Sequence, residues 1–368
     1  MRPLLPVPAG YGPALVRALS DAVAGTGPAV LPLPAGPAGD RLAAALGTAA
    51  GPVLLDDDVA LVVPTSGSTG EPKGVALPAA ALAASADATA ERLGGPGHWL
   101  LALPVTHVAG LQVVLRSLRA GTPPVPVDPG SPADFVAGTA RLPAGRRYTS
   151  LVPTQLRRLL DRGATAALRA YDAVLLGGAA APSGLVAEAR AAGVAVVVTY
   201  GMSETSGGCV YDGVPLRGVT VALDDTGRIV LGGPVLARGY LGGPPFGGRF
   251  VTADLGRLAG GRLEVLGRAD DVIVTGGEKV DPAAVEAALT ELPAVREAGV
   301  VGVADPEWGQ RVVAAVVGAL TLDQARAHVA ARVAPAAAPR ELTVVPALPL
   351  LPSGKLDRAA LRAGRPAH

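Results

Sequence analysis

The chain has 368 residues, 49% of them hydrophobic and 17% charged, and its formal net charge is +1. This length suggests two domains, and the near-zero net charge excludes the basic field that attracts nucleic acids or anionic membranes. Cys209 is the sole cysteine, which excludes an internal disulfide and a thiolate-rich metal site. No segment approaches the roughly 18 apolar residues of a membrane span, and prolines at positions 3, 6 and 8 interrupt any signal-peptide core. We therefore expect a cytoplasmic protein.

The first 58 residues contribute little predicted chemistry. Short helices are predicted over 15–23 and 38–50, between proline-rich connectors. An acidic trio at 56–58 could suggest a metal site, but a solvated turn before the apolar run at 59–63 explains it without a ligand.

A glycine- and hydroxyl-rich segment at 64–75 lies between that apolar run and an alanine-rich helical pattern at 79–93. Its glycines let backbone N–H groups approach a ligand, its hydroxyls add donors, and Lys73 supplies a cation for an anionic oxygen. A Walker P-loop requires Gly-Lys-Ser/Thr, whereas a proline precedes Lys73 and a glycine follows it. A Ser/Gly-rich surface turn is the alternative. The preceding strand and Lys73 favour a phosphate cradle of another kind.

Several further candidates follow predicted strands. His107, Thr154 and the pair Gly178 and Ala179 come after the predicted strands 100–103, 148–152 and 173–176. In an open α/β sheet, residues at the carboxyl ends of strands line the ligand crevice. A lone histidine is as often structural, and a double glycine is equally compatible with a tight turn. From the residues alone, both interpretations stay open.

The strongest β pattern, 194–199, leads into Tyr-Gly-Met-Ser-Glu-Thr at 200–205. This segment lacks the final glycine of the Gly-x-Ser-x-Gly hydrolase elbow. Further on, predicted hairpin strands at 228–231 and 263–266 bracket Thr-Ala-Asp at 252–254, and a carboxylate can bind the hydroxyls of a ribose. Glu204 taken alone is typical of a solvated loop, and Thr-x-Asp taken alone is a weak signal of ribose binding.

A change of pattern near residue 267 predicts a small α+β domain of roughly 100 residues. Asp281 and Pro282 are a strong helix start, and a capping box at Thr321 and Gln324 opens another helix. Strands are predicted at 300–303, 311–317 and 342–345. Charged clusters at both ends of the domain, 268–271 and 353–358, are typical of solvated surface when each is considered alone.

Taken together, about seven motifs between residues 59 and 358 resemble, in order and spacing, the signatures of the adenylate-forming superfamily of acyl- and aryl-CoA ligases and adenylation domains. These include Thr-Ser-Gly-Ser-Thr-Gly-Glu-Pro-Lys-Gly at 65–74, Tyr-Gly-Met-Ser-Glu at 200–204, Thr-Ala-Asp at 252–254, Gly-Arg-Ala-Asp-Asp at 267–271 and Ser-Gly-Lys at 353–355. The resemblance implies an α/β fold: a large N-terminal α/β domain with mixed sheets, residues 1–267, and a small mobile C-terminal α+β domain, residues 268–368, joined by a hinge.

The resemblance also implies roles for single residues around ATP and Mg²⁺. Phosphate and adenine contacts are implied for Thr65, Ser66, Gly67, Ser68, Thr69, Gly70, Lys73, Gly178, Ala179, Tyr200, Gly201 and Thr205. Glu204 is implied as the Mg²⁺ ligand, and Asp254 and Arg268 as ribose ligands.

The remaining implied roles concern the acid and CoA. Lys355 would bridge the acid carboxylate and the α-phosphate, and Asp270 would be the hinge pivot. Gly276 and Gly277 would line the pantetheine tunnel. The acid pocket would include His107, Thr154, Gly178 and Gly201, with His107 also beside the path of the CoA thiol. Which arginine among Arg147, Arg157 and Arg158 points into the pocket is left open.

Within the superfamily, the short front end and the segment at 148–160 resemble the o-succinylbenzoate–CoA ligases of menaquinone biosynthesis, in their compact actinobacterial form. The implied substrates are a small-molecule acid, ATP and CoA, with no nucleic-acid or membrane partner, and a homodimer is the expected assembly. Three alternatives stay open: another aryl- or acyl-CoA ligase, a stand-alone adenylation enzyme that loads a carrier protein, and a nucleotide-binding regulator without turnover.

Overall fold

The computed structural model describes residues 1–49, 51, 53–66, 72–181, 183–351 and 356–364. Its contacts divide the chain into two compact units. The first consists of Met1–Gly178, Ala189–Val221 and Val230–Phe250, and the second of Ala179–Glu188, Ala222–Ile229 and the residues from Val251 onward. Within the described residues, no helix is long and apolar enough to cross a membrane.

The strands are β1 (Arg2–Pro8), β2 (Ala29–Leu33), β3 (Leu54–Leu55), β4 (Val59–Ser66), β5 (Pro72–Pro78), β6 (His98–Leu101), β7 (Val125–Pro126), β8 (Arg147–Leu151), β9 (Ala173–Leu176), β10 (Val196–Met202), β11 (Gly207–Tyr211), β12 (Val214–Pro215), β13 (Thr220–Leu223), β14 (Arg228–Gly232), β15 (Gly239–Tyr240), β16 (Arg249–Ala259), β17 (Arg262–Arg268), β18 (Ile273–Thr275), β19 (Glu278–Val280), β20 (Val295–Asp305), β21 (Gly309–Gly318) and β22 (Glu341–Val344).

The helices are α1 (Pro13–Val23), α2 (Pro37–Ala45), α3 (Ala79–Arg92), α4 (Val108–Arg119), α5 (Pro132–Arg141), α6 (Pro153–Asp161), α7 (Thr165–Leu168), α8 (Ser183–Ala191), α9 (Pro282–Thr290), α10 (Leu322–Arg332) and α11 (Arg358–Arg362). Short 3₁₀ turns occupy Ser203–Thr205 and Pro335–Ala337.

The first unit contains two mixed sheets. One has the order β15-β5-β4-β2-β1-β3 and the other the order β12-β11-β10-β9-β8-β6-β7. In the second sheet β6, β8, β9 and β10 run parallel to their neighbours, while β11 returns antiparallel to β10. Because parallel strands end at a common edge, the segments that follow β6, β8, β9 and β10 meet there.

The second unit is α+β. Residues 222–229 and 251–268 belong to a sheet in the order β13-β14-β16-β17, and a further sheet has the order β19-β18-β21-β20 with β22 on β21. Its apolar core includes Val285, Leu289 and Val329 from two helices and Val300 and Val316 from two strands. Asp281 caps α9 by accepting from Ala283 N at 3.0 Å.

The structure confirms the predicted α/β class and differs in detail from the predicted elements. β5 separates the glycine-rich loop from α3, so that loop joins two antiparallel strands rather than a strand and a helix. Residues 252–254 lie inside β16 instead of between strands. Helix α2 ends at Ala45 rather than at residue 50, and Gly47, a residue type common just after a helix end, follows it.

Strand β1 was not predicted because its sequence contains three prolines, which lack the N–H group that a sheet ladder needs. On one side β1 pairs with β2 from Leu4 to Pro8, but on the other side β3 pairs only with Arg2 and Pro3. The later prolines of β1 therefore lie along a free edge within the described structure, where a missing donor costs no ladder bond.

Candidate active site

The two ends of the glycine-rich loop lie side by side. In the β4–β5 ladder Thr65 pairs with Lys73, and Thr65 Oγ1 donates to the Lys73 carbonyl at 3.3 Å. The Lys73 side chain is exposed. Gly67, Ser68, Thr69, Gly70 and the side chain of Ser66, all expected to bind phosphate, lie outside the described residues.

Glycine is required at position 201 by the close approach of two strands. Gly201 has φ 156° and lies at a bulge between β10 and β11. A Cβ atom there would come within 2.2 Å of the Gly207 carbonyl oxygen. A larger residue at this position would push β10, the strand that leads into Glu204, away from β11.

The 3₁₀ turn at Ser203–Thr205 carries Glu204 and is closed by Thr205. The fully buried Thr205 hydroxyl accepts from Met202 N at 3.0 Å and lies 2.7 Å from the Gly207 carbonyl oxygen, to which it donates. In this structure the hydroxyl therefore stabilises the turn, and the expected phosphate contact of Thr205 stays a prediction.

Glu204 is only 9% exposed and is held at both its backbone and its side chain. Its carbonyl oxygen accepts from Ala237 N at 2.8 Å, and its Oε1 accepts from Tyr240 Oη at 2.8 Å. Burial and the Glu204 charge raise the pKa of Tyr240, so its hydroxyl stays protonated and remains a donor. The Lys73 ammonium lies over the Tyr240 ring, 5.3 Å from its centroid.

Tyr240 is not among the residues that the sequence predicts for the site. It lies on a two-residue strand after a run of glycine, proline and small residues, a pattern with no detectable period. A usable signal was that Tyr240 is one of only six tyrosines in a chain that is 3% aromatic.

His107, Thr154, Gly178 and Tyr200 share one edge of the large sheet, as expected for residues at the carboxyl ends of strands. His107 follows β6 as the N-cap residue of α4, Thr154 is the second residue of α6 after β8, Gly178 follows β9, and Tyr200 lies near the carboxyl end of β10. Ala179 comes next to Gly178 in the chain. The structure thus brings the proposed acid and adenine residues of the first unit to a common edge.

The three arginines considered for the acid pocket are placed differently. Arg147 begins β8, at the opposite edge, and its guanidinium donates to the carbonyls of Leu142 and Pro143. Arg157 forms an ion pair with Asp161. Arg158 lines a small open depression together with Ala102, Leu151 and Gln155, next to the carboxyl ends of β6 and β8. Of the three arginines, Arg158 is the one beside this depression.

Within the second unit, Arg268 joins two carboxylates. Its guanidinium makes a bidentate pair with Asp270, at 2.9 Å from Nε and 2.7 Å from Nη2, and Nη1 lies 3.5 Å from Asp254 Oδ1. Burial works against ionisation of Asp270, but the hydrogen bonds and charge of Arg268 outweigh it and lower the pKa of this carboxyl. The Asp254 side chain is 14% exposed. The expected ribose ligands and hinge residue are therefore neighbours.

Gly276 and Gly277 form the turn between β18 and β19 with φ 59° and 83°. Gly276 N donates to the Trp308 carbonyl at 2.9 Å, and a Cβ at position 276 would lie 2.8 Å from the Trp308 ring. The Arg340 guanidinium covers the ring at 3.9 Å. This glycine turn, expected to line the pantetheine tunnel, packs directly on an aromatic side chain.

Lys355 lies outside the described residues, but its neighbours are firmly held. Leu350 and Leu356 form an antiparallel bridge, and Asp357 N donates to the Pro349 carbonyl at 2.8 Å. Arg358 donates to Glu286 Oε1 at 2.7 Å, and its Nε is 3.1 Å from Asp271. The residues just before and just after the Lys355 segment are therefore held by contacts within the second unit.

The donor set around Glu204 fits Mg²⁺. Across the described part of the chain, no cluster of three or more His, Cys, Asp or Glu side chains could enclose a metal ion. Mg²⁺ commonly takes one or two protein carboxylates and fills its remaining positions with substrate phosphates and water. A single buried carboxylate near an exposed lysine is compatible with that arrangement.

Comparisons with known proteins agree with these features. The AMP-binding enzyme family model matches residues 29–241, and the model of the AMP-binding enzyme C-terminal domain matches residues 284–355. A protein of Mycobacterium tuberculosis named probable 2-succinylbenzoate–CoA ligase is 52% identical over 375 residues, covering 97% of each chain.

Solved structures of two synthetases are also similar to this chain. The o-succinylbenzoate CoA synthetase (MenE) of Bacillus subtilis, in complex with the acyl-adenylate intermediate OSB-AMP, is 31% identical with a TM-score of 0.74, over 84% of this chain and 70% of that one. The amide bond synthetase McbA of Marinactinospora thermotolerans is 28% identical with a TM-score of 0.76, over 85% and 70%. Given its motifs, its fold and these matches, the chain belongs to the AMP-binding family of adenylate-forming enzymes.

Proposed function

We propose that this protein is an AMP-forming acid–CoA ligase whose acid is 2-succinylbenzoate, acting in menaquinone biosynthesis. The observation that carries the proposal is the 52% identity, over 97% of both chains, to the mycobacterial protein named for that activity. The Bacillus subtilis synthetase bound to OSB-AMP supports the same acid.

In the first half-reaction an oxygen of the acid carboxylate attacks the α-phosphorus of ATP, and the bond to pyrophosphate breaks. Thr65 and Lys73, at the two ends of the glycine-rich loop, would bind phosphate oxygens, and Asp254 and Arg268 would bind the ribose. Glu204 would hold Mg²⁺, which when bound neutralises phosphate charge. These residues position the reactants and stabilise charge, which is the main task of a protein in such a transfer.

In the second half-reaction the CoA sulfur attacks the acyl carbon and AMP leaves. We propose that residues 268–368 act as a mobile domain that turns about Asp270. This movement would withdraw Lys355 and present the turn at Gly276 and Gly277 to the pantetheine arm. Hinged closure with alternative partners for one site is an established kind of switch. A cytoplasmic location and a homodimer remain predictions of the same proposal.

The test is ATP- and CoA-dependent thioester formation with 2-succinylbenzoate, measured beside benzoate and a fatty acid. We expect a clear preference in kcat/KM for 2-succinylbenzoate. Thioester formation with another acid only would keep the reaction class and overturn the substrate.

The likeness to the amide bond synthetase McbA favours one further assay. Replacing CoA by a simple amine in the presence of ATP and acid distinguishes the two acceptors. Amide formation without thioester formation would overturn the ligase proposal, as would indifference to CoA with transfer to a carrier protein.

A further inference from the structure

The Tyr240 side chain contacts two charged residues of the candidate site at once. Its hydroxyl donates to Glu204 Oε1 at 2.8 Å, and its ring lies under the Lys73 ammonium, 5.3 Å from the centroid. The hydroxyl is a neutral donor that binds one carboxylate oxygen, so Oε2 of Glu204 is left for another ligand. The ring stabilises the ammonium through its π face without neutralising it.

The backbone and neighbouring rings fix Tyr240 in this position. Tyr240 pairs with Val75 in the β15–β5 ladder, and Leu241 N donates to the Gly74 carbonyl at 2.8 Å. The strand that carries Lys73 is therefore the strand on which Tyr240 is held. Phe246 packs edge-on against the Tyr240 ring, with centroids 5.2 Å apart and planes at 84°.

We propose that Tyr240 is a positioning residue that sets the metal-binding carboxylate of Glu204 and the phosphate-binding ammonium of Lys73 in one arrangement. This inference rests on the proposed function, because it takes Glu204 as the Mg²⁺ ligand. Groups that orient a metal ligand through hydrogen bonds typically change metal affinity or activity by about 10–100-fold when removed. The hydroxyl and the ring have separable tasks, the first toward Glu204 and the second toward Lys73.

The test varies free Mg²⁺ and measures both ATP-dependent pyrophosphate release and the rise in melting temperature caused by ATP. For Tyr240→Phe, which keeps the ring, we expect the half-saturating Mg²⁺ concentration to rise by about tenfold. The stabilisation by ATP in EDTA should stay unchanged. Tyr240→Leu removes the ring as well, and here ATP binding in EDTA should also weaken.

Tyr171→Phe is the matched control. Tyr171 is buried, its hydroxyl lies 2.7 Å from Thr139 Oγ1, and it precedes β9, at the edge of the sheet opposite the candidate site. Loss of this hydroxyl should change the melting temperature without changing the half-saturating Mg²⁺ concentration. A merely structural role for Tyr240 would give the same result as this control.

A double-mutant cycle makes the assignment specific. In a Glu204→Gln background, Tyr240→Phe should have no further effect on stabilisation by MgATP. Should Tyr240→Phe fail to fold, Phe246→Leu loosens the same ring and should shift the Mg²⁺ dependence in the same direction.

An unchanged half-saturating Mg²⁺ concentration in the folded Tyr240 variants would overturn the role of Tyr240 and leave the proposed function standing. A wild-type protein whose ATP binding ignores Mg²⁺ would overturn both this inference and the role of Glu204. The melting measurement needs no acid substrate, so a wrong acid assignment leaves this test intact.

Discussion

Gln112 Nε2 donates a 2.8 Å hydrogen bond to the carbonyl oxygen of Ser206, two residues after Glu204. Ser85 Oγ donates to the same oxygen at 3.1 Å. Ser206 has φ 54°, a left-handed conformation that costs a non-glycine residue free energy. Two buried donors, one from α4 and one from α3, therefore hold the strained residue that ends the Glu204 turn.

Gln112→Leu keeps the side-chain volume and removes one of these donors. We expect the free energy of unfolding to fall by about 0.5–1.5 kcal/mol, the net contribution of one hydrogen bond, because the Ser85 hydroxyl still donates to the Ser206 carbonyl. The KM for MgATP should rise because the Glu204 turn loosens. Urea unfolding and steady-state kinetics measure the two effects.

Gln324→Leu is the control for that prediction. Gln324 closes the capping box of α10 in the second unit and is exposed, so its loss should reduce stability without changing the KM for MgATP. Equal changes in KM for both variants would contradict the role of Gln112.

Arg358→Met should destabilise the second unit. It leaves the carboxylate of Glu286, which is 19% exposed, without its cation, and breaking such a pair from one side typically costs about 3–5 kcal/mol. The chain has two tryptophans, Trp99 in the first unit and Trp308 in the second. In a Trp99→Phe background, Trp308 fluorescence during urea unfolding reports on the second unit. The exposed Arg326 provides the control Arg326→Met, and an equal loss in both variants would contradict the prediction.

Glu286→Gln should reveal a stability difference that depends on pH. Burial raises the pKa of Glu286 above its ordinary value of 4.5, although Arg358 opposes the shift. The folded state thus binds this proton more tightly than the unfolded state. The stability of the wild type relative to Glu286→Gln should therefore be greatest below pH 4.5 and fall as pH rises through the folded-state pKa. Urea unfolding over a pH series measures it, and a difference that grows with pH would contradict it.

Lys355→Ala should abolish adenylate formation and spare thioester formation from a supplied acyl-adenylate. The reason is that the lysine is assigned only to the first half-reaction. Pyrophosphate release and CoA thioester formation measure the two steps separately. Equal loss of both steps would contradict the two-conformation mechanism.

Asp270→Pro should impair thioester formation more than adenylation. Proline fixes φ at the proposed pivot, and the substitution also removes the carboxylate that holds Arg268. Asp270→Asn, which loses the charge and keeps the backbone freedom, separates the two causes. A second half-reaction as fast as in the wild type would argue against a hinge at this position.

The candidate site residues could be proposed from the sequence because they lie in short motifs with a recognisable order along the chain. Thr65, Glu204, Asp254 and Arg268 belong to segments whose residue types and order are informative without knowledge of tertiary structure. The N-caps Asp281 and Thr321 could also be predicted from the sequence, because a cap depends on residues only two or three positions away.

The residues that local sequence patterns do not predict depend on long-range contacts. Tyr240 meets Glu204, 36 residues away, and Gln112 meets Ser206, 94 residues away. Strands β1 and β5 are bounded or interrupted by prolines, and they form because neighbouring strands supply pairing that a local pattern cannot encode. Short motifs therefore indicate the candidate site residues, whereas the residues that contact them from distant parts of the chain are left out.

The burial of Cys209 has a practical consequence for following the proposed domain rotation. Its thiol is inaccessible, and burial raises its pKa to about 12, so at neutral pH it stays protonated and unreactive while the protein is folded. The native cysteine therefore does not react with maleimide dyes while the protein is folded. Cysteines introduced at one exposed position before Asp270 and one after it, on the two sides of the proposed pivot, would take a donor and an acceptor dye. Energy transfer between them would then report each half-reaction in single molecules without removal of the native thiol.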